Sequence, residues 1–552
     1  MKKELKSHAE PALLGFALRT FPAGSRPRIH FRWGRIFLFL FTLMAIAWLT
    51  FAGALYMYFK NRLFFDEVTY AKMVALPFRI DAHRKELGDF HISKAKKLLR
   101  QKKYREALDF LRAGVARSPG NLEGRRLLSE FFDFGLKQQD DAAEILVQGV
   151  AHGGVGNPEY MSTVYRYLLH HEYDDRVIDL GEDLLKEEIE LDKVSRLTAL
   201  ATATAYFNLH KFEKAQWHIK EYNLQEVPEG NILSAQVLWE QGEHQAALGI
   251  LERTSRQFPQ AAQVFTRISD YNAEAGDLDK ARRNAVLAQV TNPMSLDVAL
   301  KVLKLEVGLK MTERAKSNFD EILENFGYDL PALLKIASVT AGFGNQEFAK
   351  RVHDHARQAG MEDTRFQIAI LSAMVIGADF PNASKFGASL LKDADQWRVR
   401  YQKGLVLGLL SVAAFGGGDL ERGRFFMKEF LQAPLLPPDE IHHLATHFQK
   451  TGMLVEQRKI LDFGREKHPD YRPILEELLK QDLAQGNYDA LPEHLHDVLK
   501  VRRKNVQLLR KCQDVLARDR FLFLPERQEL MESLENALRS VEAEGGLPPS
   551  RI

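Results

Sequence analysis

Of 552 residues, one is a cysteine, Cys512. No disulfide can form within the chain, and no zinc site of several thiolates. An excess of one charge is missing too: 76 Lys and Arg stand against 74 Asp and Glu, a net charge of +2. That balance speaks against a chain-wide nucleic-acid footprint, which needs a clear basic surplus. The phosphate-cradling Gly-x-x-x-x-Gly-Lys-Ser/Thr string and the Gly-x-Ser-x-Gly nucleophile elbow are both absent. Long apolar runs are absent as well, with one exception. What is present, 45% apolar and 27% charged residues, is the make-up of a folded chain. Its length alone would allow three or four ordinary domains, unless the chain is a repeat array.

The exception is Ile36–Phe59, 24 residues without a charge. A helix rises about 1.5 Å per residue, so roughly 20 residues cross a hydrocarbon core of about 30 Å. Trp33 precedes the run, Tyr56 and Tyr58 close it, and Arg35, Lys60 and Arg62 flank it. Aromatic and basic side chains are at home at that depth of a bilayer. Ala52, Gly53 and Ala54 resemble a signal-peptidase box, but the apolar run is too long for a signal peptide and continues past the box. A single transmembrane helix over 36–59 is therefore expected. Residues 1–35 carry a net charge of +6 and three prolines, and read as a basic, mostly disordered tail with a short amphipathic stretch at Leu13–Leu18. Arg19, Arg26, Arg28, Arg32 and Arg35 precede the span closely, and Lys60, Arg62, Lys72 and Arg79 come after it. Lys2, Lys3 and Lys6 add to the first side. Positive charge favours the cytoplasmic face. The expectation is a cytoplasmic amino terminus and an extracytoplasmic remainder, periplasmic in a double-membrane bacterium. Residues 60–84, with Leu63, Phe64, Phe65 and Val68, are too apolar for a loose linker and read as a connector docked at the membrane interface or on the first helices beyond it.

Beyond residue 85, helical patterns alternate with short Gly, Asp or Asn breaks. One register runs through them. Anchors fall at Ala107, Ala143, Arg176, Ala215, Ala247, Ala281, Ala315, Ala349, Ala383, Gly423, Gln457 and Leu491. Four consecutive steps between them are of 34 residues, and so are the last two. Five residues before an anchor stand Gly242, Gly276, Gly344, Gly418, Gly452 and Gly486. Twelve residues after one stand Pro119, Pro259, Pro293 and Pro469. A glycine can take the left-handed conformation that ends one helix. A small anchor lets the next helix approach closely, and the proline stops it.

The segments Gly242–Pro259, Gly276–Pro293 and Lys102–Pro119 resemble the second half of a tetratricopeptide repeat, and Asp439–Gly452 resembles the first half. The resemblance covers about 85–505 as about twelve repeats and is weakest at Arg176 and around Ser384–Gly423. It implies an all-α, right-handed superhelical solenoid whose first helices line a concave groove. Helices over 506–544 should cap it, with a frayed tail at 545–552.

For chemistry the yield is small. His443 and His447 stand one turn apart with Glu440 a turn earlier, but three groups along one helix do not converge on one ion, so they read as groove-lining or solvated. Lys511 and Arg510 beside Cys512 could lower its pKa, yet a half-buried structural thiol is the reading. Lys500, Arg502, Arg503 and Lys504 read as positive charge at a helix carboxyl end. The resemblance places Arg267, Asp270, Lys301, Lys304 and Lys335 near groove-lining positions, a candidate surface for an acidic peptide. The expectation is a non-enzymatic, membrane-tethered scaffold without cofactor, metal or nucleic acid. Its partners would be proteins in the groove and the bilayer around 36–59. Alternatives are a component of an envelope-assembly, secretion or polysaccharide-export complex, and an enzyme or enzyme subunit with a site built from repeat loops.

Overall fold

The computed structural model describes residues 9–20, 28–186, 192–361, 363–392, 401–433, 436–487, 489–518, 521, 522, 524 and 526–542. The start of the basic tail and the expected frayed end at 545–552 lie outside the described residues. Two compact units divide the chain, Met1–Tyr167 and Leu168–Ile552.

The first unit opens on a correction. Where composition points to a disordered tail, Ala9–Ala12, Ala17–Thr20 and Arg28–Phe31 form a three-stranded antiparallel sheet. Ala9 pairs with Thr20, and Ala17 with Phe31. The strands are four residues each, and Ala17 is buried, so the alternation is too brief to register as a strand signal. The apolar run forms one helix, Trp33–Met57, prolonged by a π turn over Tyr58–Arg62. It starts and ends about one turn outside the expected span.

The connector does dock. Phe65, Val68 and Met73 are buried together with Ala52 of the long helix, and Leu87 and Phe90 of the next helix pack on them. That next helix, Ile80–Arg100, pairs with Tyr104–Arg117 as the first hairpin. It begins five residues before the expected boundary at 85. Leu122–Glu130 and Gln139–Gly149 form the second hairpin, joined through a π turn at Phe131–Gly135.

In the second unit the hairpins continue at the sequence register. First helices are Lys193–Asn208, Pro228–Glu240, Ala262–Glu274, Leu296–Gly308, Leu330–Ala341, Thr364–Ile376, Tyr401–Gly416, Pro438–Lys450 and Arg472–Gln485. A second helix comes after each, from Phe212–Glu221 to Leu491–Lys500. All twelve anchors fall in second helices, and all but Arg176 are buried. The six marker glycines all have positive φ. Where a repeat lacks the glycine, Lys102, Lys137, Glu172, His210, Lys310 and Ala378 take positive φ at or beside the same position. The turn geometry is thus a property of the array. The side chain adapts to it at about 1–2 kcal/mol per non-glycine residue.

One continuous core runs from Ala299 to Leu478. No single hairpin could bury its apolar face alone, so the stacking supplies the core. A separate core joins Leu475, Leu491, Leu495 and Leu509 to Cys512, Leu530, Leu534 and Leu538. It seats the capping helices Val506–Leu516 and Arg527–Glu542. Cys512 is fully buried there, and burial pushes its thiol up to about 12. The neighbouring Lys511 and Arg510 do not activate it.

The second unit also closes on itself, which corrects the reading of the basic cluster at 500–504. Arg503 donates to both carboxylate oxygens of Asp174, at 2.6 and 3.0 Å, and to the Leu169 carbonyl at 2.6 Å. Arg502 donates to the His171 carbonyl at 3.0 Å and lies 3.9 Å over the Tyr173 ring. Arg472 pairs with Glu172 at 2.8 Å. Asp174, 1% exposed, also accepts from Asn208 at 2.8 Å. Two arginines expected to serve a helix end therefore join positions more than 300 residues apart.

Candidate functional site

The first helices present a succession of polar side chains to one another. Lys301 donates to Asp270 at 2.6 Å, bridging Ala262–Glu274 and Leu296–Gly308. Lys335 pairs with Asp297 across the next step. The Arg267 guanidinium stands 5.8 Å from the centre of the Tyr271 ring, which itself stacks on Trp239 at 3.9 Å. Lys304 is exposed. The candidate residues thus do lie on adjacent first helices. Two of the lysines are matched by aspartates of the neighbouring repeat, pairings that the spacing of the lysines alone does not reveal. Lys301 and Lys335 are thereby matched in charge, while Arg267 and Lys304, on the same face, stand without a carboxylate partner among the described residues.

A different place on the same set of helices has the shape of a binding site. A cavity of about 310 Å³ lies among Leu330–Ala341, Thr364–Ile376, Tyr401–Gly416 and Pro438–Lys450. Its walls are apolar: Leu334, Ala337, Ile368, Leu405, Leu409 and Leu444. Its polar members are Ser338, Arg365, Ser372, Tyr401, Glu440, His443 and His447. Ser372 and His447 are 3.1 Å apart, Oγ to Nε2. They sit two hairpins apart, so the first helices converge here until alternate repeats touch. That convergence makes a pit.

Burial governs the titration of the groups in the pit. Burial pushes the His447 imidazole down from 6.5 to about 4. Its Nδ1 is buried and has no hydrogen-bond partner. Burial, reinforced by Asp439, raises the Glu440 carboxyl. Arg365 turns its guanidinium to Asp363, at 2.9 and 2.7 Å. Among the described residues no group of three His, Cys, Asp or Glu could hold a metal ion. The arrangement offers apolar surface with hydrogen-bonding groups on its floor, which suits an apolar side chain or a stretch of polypeptide. His443 and His447, expected to be groove-lining or solvated, line this pit. Ser372 was not legible in the sequence, because nothing local marks a serine whose partner is 75 residues away.

The pit sets a pH dependence. The folded pKa of His447 lies below its unfolded value, so the fold favours the neutral ring. That contribution is complete above about 6.5 and is lost as pH falls through about 4. Between those values the thermal midpoint of the protein should fall more steeply than that of His447→Gln, and following both by circular dichroism checks it.

Hairpins in a 34-residue register, buried anchors in every second helix but one and left-handed turns between the helices together decide the fold. It is an α-solenoid of tetratricopeptide-like helix hairpins. No family model matches the chain, and no curated protein matches it. Solved structures do. A tetratricopeptide repeat protein from Parabacteroides merdae ATCC 43184 is 13% identical, over 46% of this chain and 98% of its own, with a TM-score of 0.28. The pilF protein of Pseudomonas aeruginosa is 13% identical over 45% of this chain and 96% of its own, with a TM-score of 0.26. The assembly of Naa15 and Naa10 bound to HypK is similar over 91% of this chain and 76% of the other, at 16% identity and a TM-score of 0.26. No activity or partner transfers from likeness of that degree.

Proposed function

We propose that this tetratricopeptide solenoid is a non-catalytic scaffold, tethered to a membrane by its long apolar helix, that captures a protein partner on its first helices. The observation that carries the reading is the pit. It joins apolar walls to an unsatisfied His447 Nδ1 on the face where first helices converge. A partner would seat an apolar side chain among Leu334, Ile368 and Leu405 and direct a backbone donor at that nitrogen. Lys301 and Lys335, being paired between repeats, would set the register of the chain more than its affinity. The Ser372–His447 pair has no carboxylate on the far nitrogen, so it lacks the third group that orients a catalytic imidazole. In this reading the amino terminus is cytoplasmic and the solenoid lies across the membrane. Protease added to spheroplasts should then digest the solenoid.

Ser338 is exposed at the rim of the pit. A Ser338→Trp substitution should block the pit without disturbing the fold. Truncating or blocking a central anchor typically costs at least about 2 kcal/mol, roughly a 30-fold loss of affinity. Glu313→Trp, exposed on a second helix, should leave binding unchanged. Site-specific photo-crosslinking in native membranes identifies the partner, and titration of the purified pair measures the loss. Equal binding by both variants would remove the pit from the interface.

A further inference from the structure

The long helix is too long for the membrane it is read as crossing. From Trp33 to Arg62 it has 30 residues, about 45 Å against a hydrocarbon core of about 30 Å. Its carboxyl third is not bare. Tyr70–Val74 forms a short helix beside it, with the Thr69 side chain capping its start. The Tyr70 hydroxyl donates to the Leu49 carbonyl at 3.1 Å, and the Trp48 indole donates to the Val74 carbonyl at 2.9 Å. The Tyr70 ring also passes close to Gly53. The chain therefore enters this short helix at the level of Leu49–Gly53 and runs toward the amino end of the long one. The turn after it, Leu76–Phe78, leads into Ile80–Arg100, whose His83 ring packs on Phe59.

That turn has an unusual make-up. Val74 to Phe78 reads Val-Ala-Leu-Pro-Phe, without a charge. Its backbone is largely satisfied internally: Ala75 N–H donates to Ala71, Phe78 N–H to Ala75 and Arg79 N–H to Leu76. Phe78 is 94% exposed and Ile80 is 60% exposed. A cluster of charged groups stands beside it. Glu86 holds both Lys72, at 3.2 Å, and Arg79, at 2.6 Å. Irregular backbone does not stand bare in the hydrocarbon, but an apolar turn whose N–H groups are largely satisfied can lie at the boundary of headgroups and acyl chains and lower its apolar side chains from there.

We propose that Tyr70–Ile80 is an interfacial foot. Phe78 and Ile80 enter the leaflet nearest the solenoid, and the Lys72–Glu86–Arg79 cluster stays at the headgroups. The inference rests on the membrane reading and adds a depth to it. The hydrocarbon-crossing part of the helix is then Trp33 to about Phe51, roughly 27 Å. Met57 and Tyr58, which the apolar run alone would place in lipid, stand outside the hydrocarbon. The partner of this surface is the phospholipid interface itself. Asp66, Glu67 and Asp81 offset the nearby Lys60 and Arg62, so the seating is apolar in origin and does not depend on anionic lipid.

The buried Cys512 leaves maleimide chemistry free for introduced cysteines. Full-length protein carrying Met44→Cys, Met57→Cys, Phe78→Cys or Tyr104→Cys, each exposed in the native side chain, is labelled with an environment-sensitive fluorophore. Each is reconstituted into phosphatidylcholine vesicles containing nitroxide lipids of shallow or deep label, with and without phosphatidylglycerol. The foot predicts strong deep quenching at 44, strong shallow quenching at 78, weak quenching at 57 and none at 104, with and without the anionic lipid. Quenching at 78 no greater than at 104, with 44 still deep, would overturn the foot and keep the span. Deep quenching at 57 would return the span to the limits of the apolar run and overturn the depth. Absence of quenching at 44 would overturn the membrane reading and the foot with it.

Discussion

Arg503→Ala should lower the stability of the second unit by about 3–5 kcal/mol, the usual consequence of removing one partner from a buried ion pair. The reason is Asp174. Its carboxylate is 1% exposed and takes two of its hydrogen bonds from Arg503. Without the guanidinium it keeps Asn208 and little else that can balance a charge. A change at Asp174→Asn together with Arg503→Met should recover most of the loss, because no buried charge is then left alone. Denaturant unfolding of the single and double variants measures this. If Arg503→Ala shifted the midpoint no more than a surface substitution such as Glu313→Gln, the contact would be a weak surface pair, and the closure of the unit would not depend on it.

None of that was legible in the chain. The arginines stand beside a helix end, and the local explanation for them is sound as far as it goes. Their partners are 329 and 331 residues away, and no periodicity or composition carries information over that distance. The repeats were legible for the opposite reason. A buried alanine in a second helix answers to a neighbour a few residues away in a hairpin, and the same demand recurs every 34 residues. So Ala247, Ala281, Ala315, Ala349 and Ala383 mark the fold by themselves. The turns were legible where glycine marks them and silent where Lys310 or Ala378 adopts the same conformation under tertiary pressure. The pit falls between these cases. Glu440, His443 and His447 could be placed on one helix by counting. The convergence that brings Ser372 to His447 depends on the curvature of four stacked repeats, which no single repeat encodes.

Phe448→Ala should remove about 3–5 kcal/mol by leaving a cavity, and it should also abolish partner capture. Phe448 is fully buried, with its ring edge-on to Phe415 at 6.3 Å. It lies on Pro438–Lys450, the helix that supplies Glu440, His443, Leu444 and His447 to the pit. The two effects separate on conservative replacement. Phe448→Leu should restore most of the stability, since the volume deficit is small, and partner affinity should return in step with it. Calorimetry and binding measured on the same preparations check the pair. If stability returned and binding did not, the aromatic ring would be shaping the pit directly.

The tie between Arg503 and Asp174 also fixes an order of events during folding. Closing a chain segment of 329 residues carries an entropy penalty of roughly 5 kcal/mol when the segment is flexible, more than one arginine–carboxylate contact returns. The contact cannot form early. It becomes favourable only once the intervening hairpins have stiffened and delivered the two ends to each other, so it acts as a readout of their completion. An array of repeats otherwise frays from either end, one hairpin at a time. With the ends tied, losing a hairpin in the middle releases the tie as well, and partial unfolding becomes concerted. The closure therefore converts local errors of packing anywhere along the second unit into one cooperative transition.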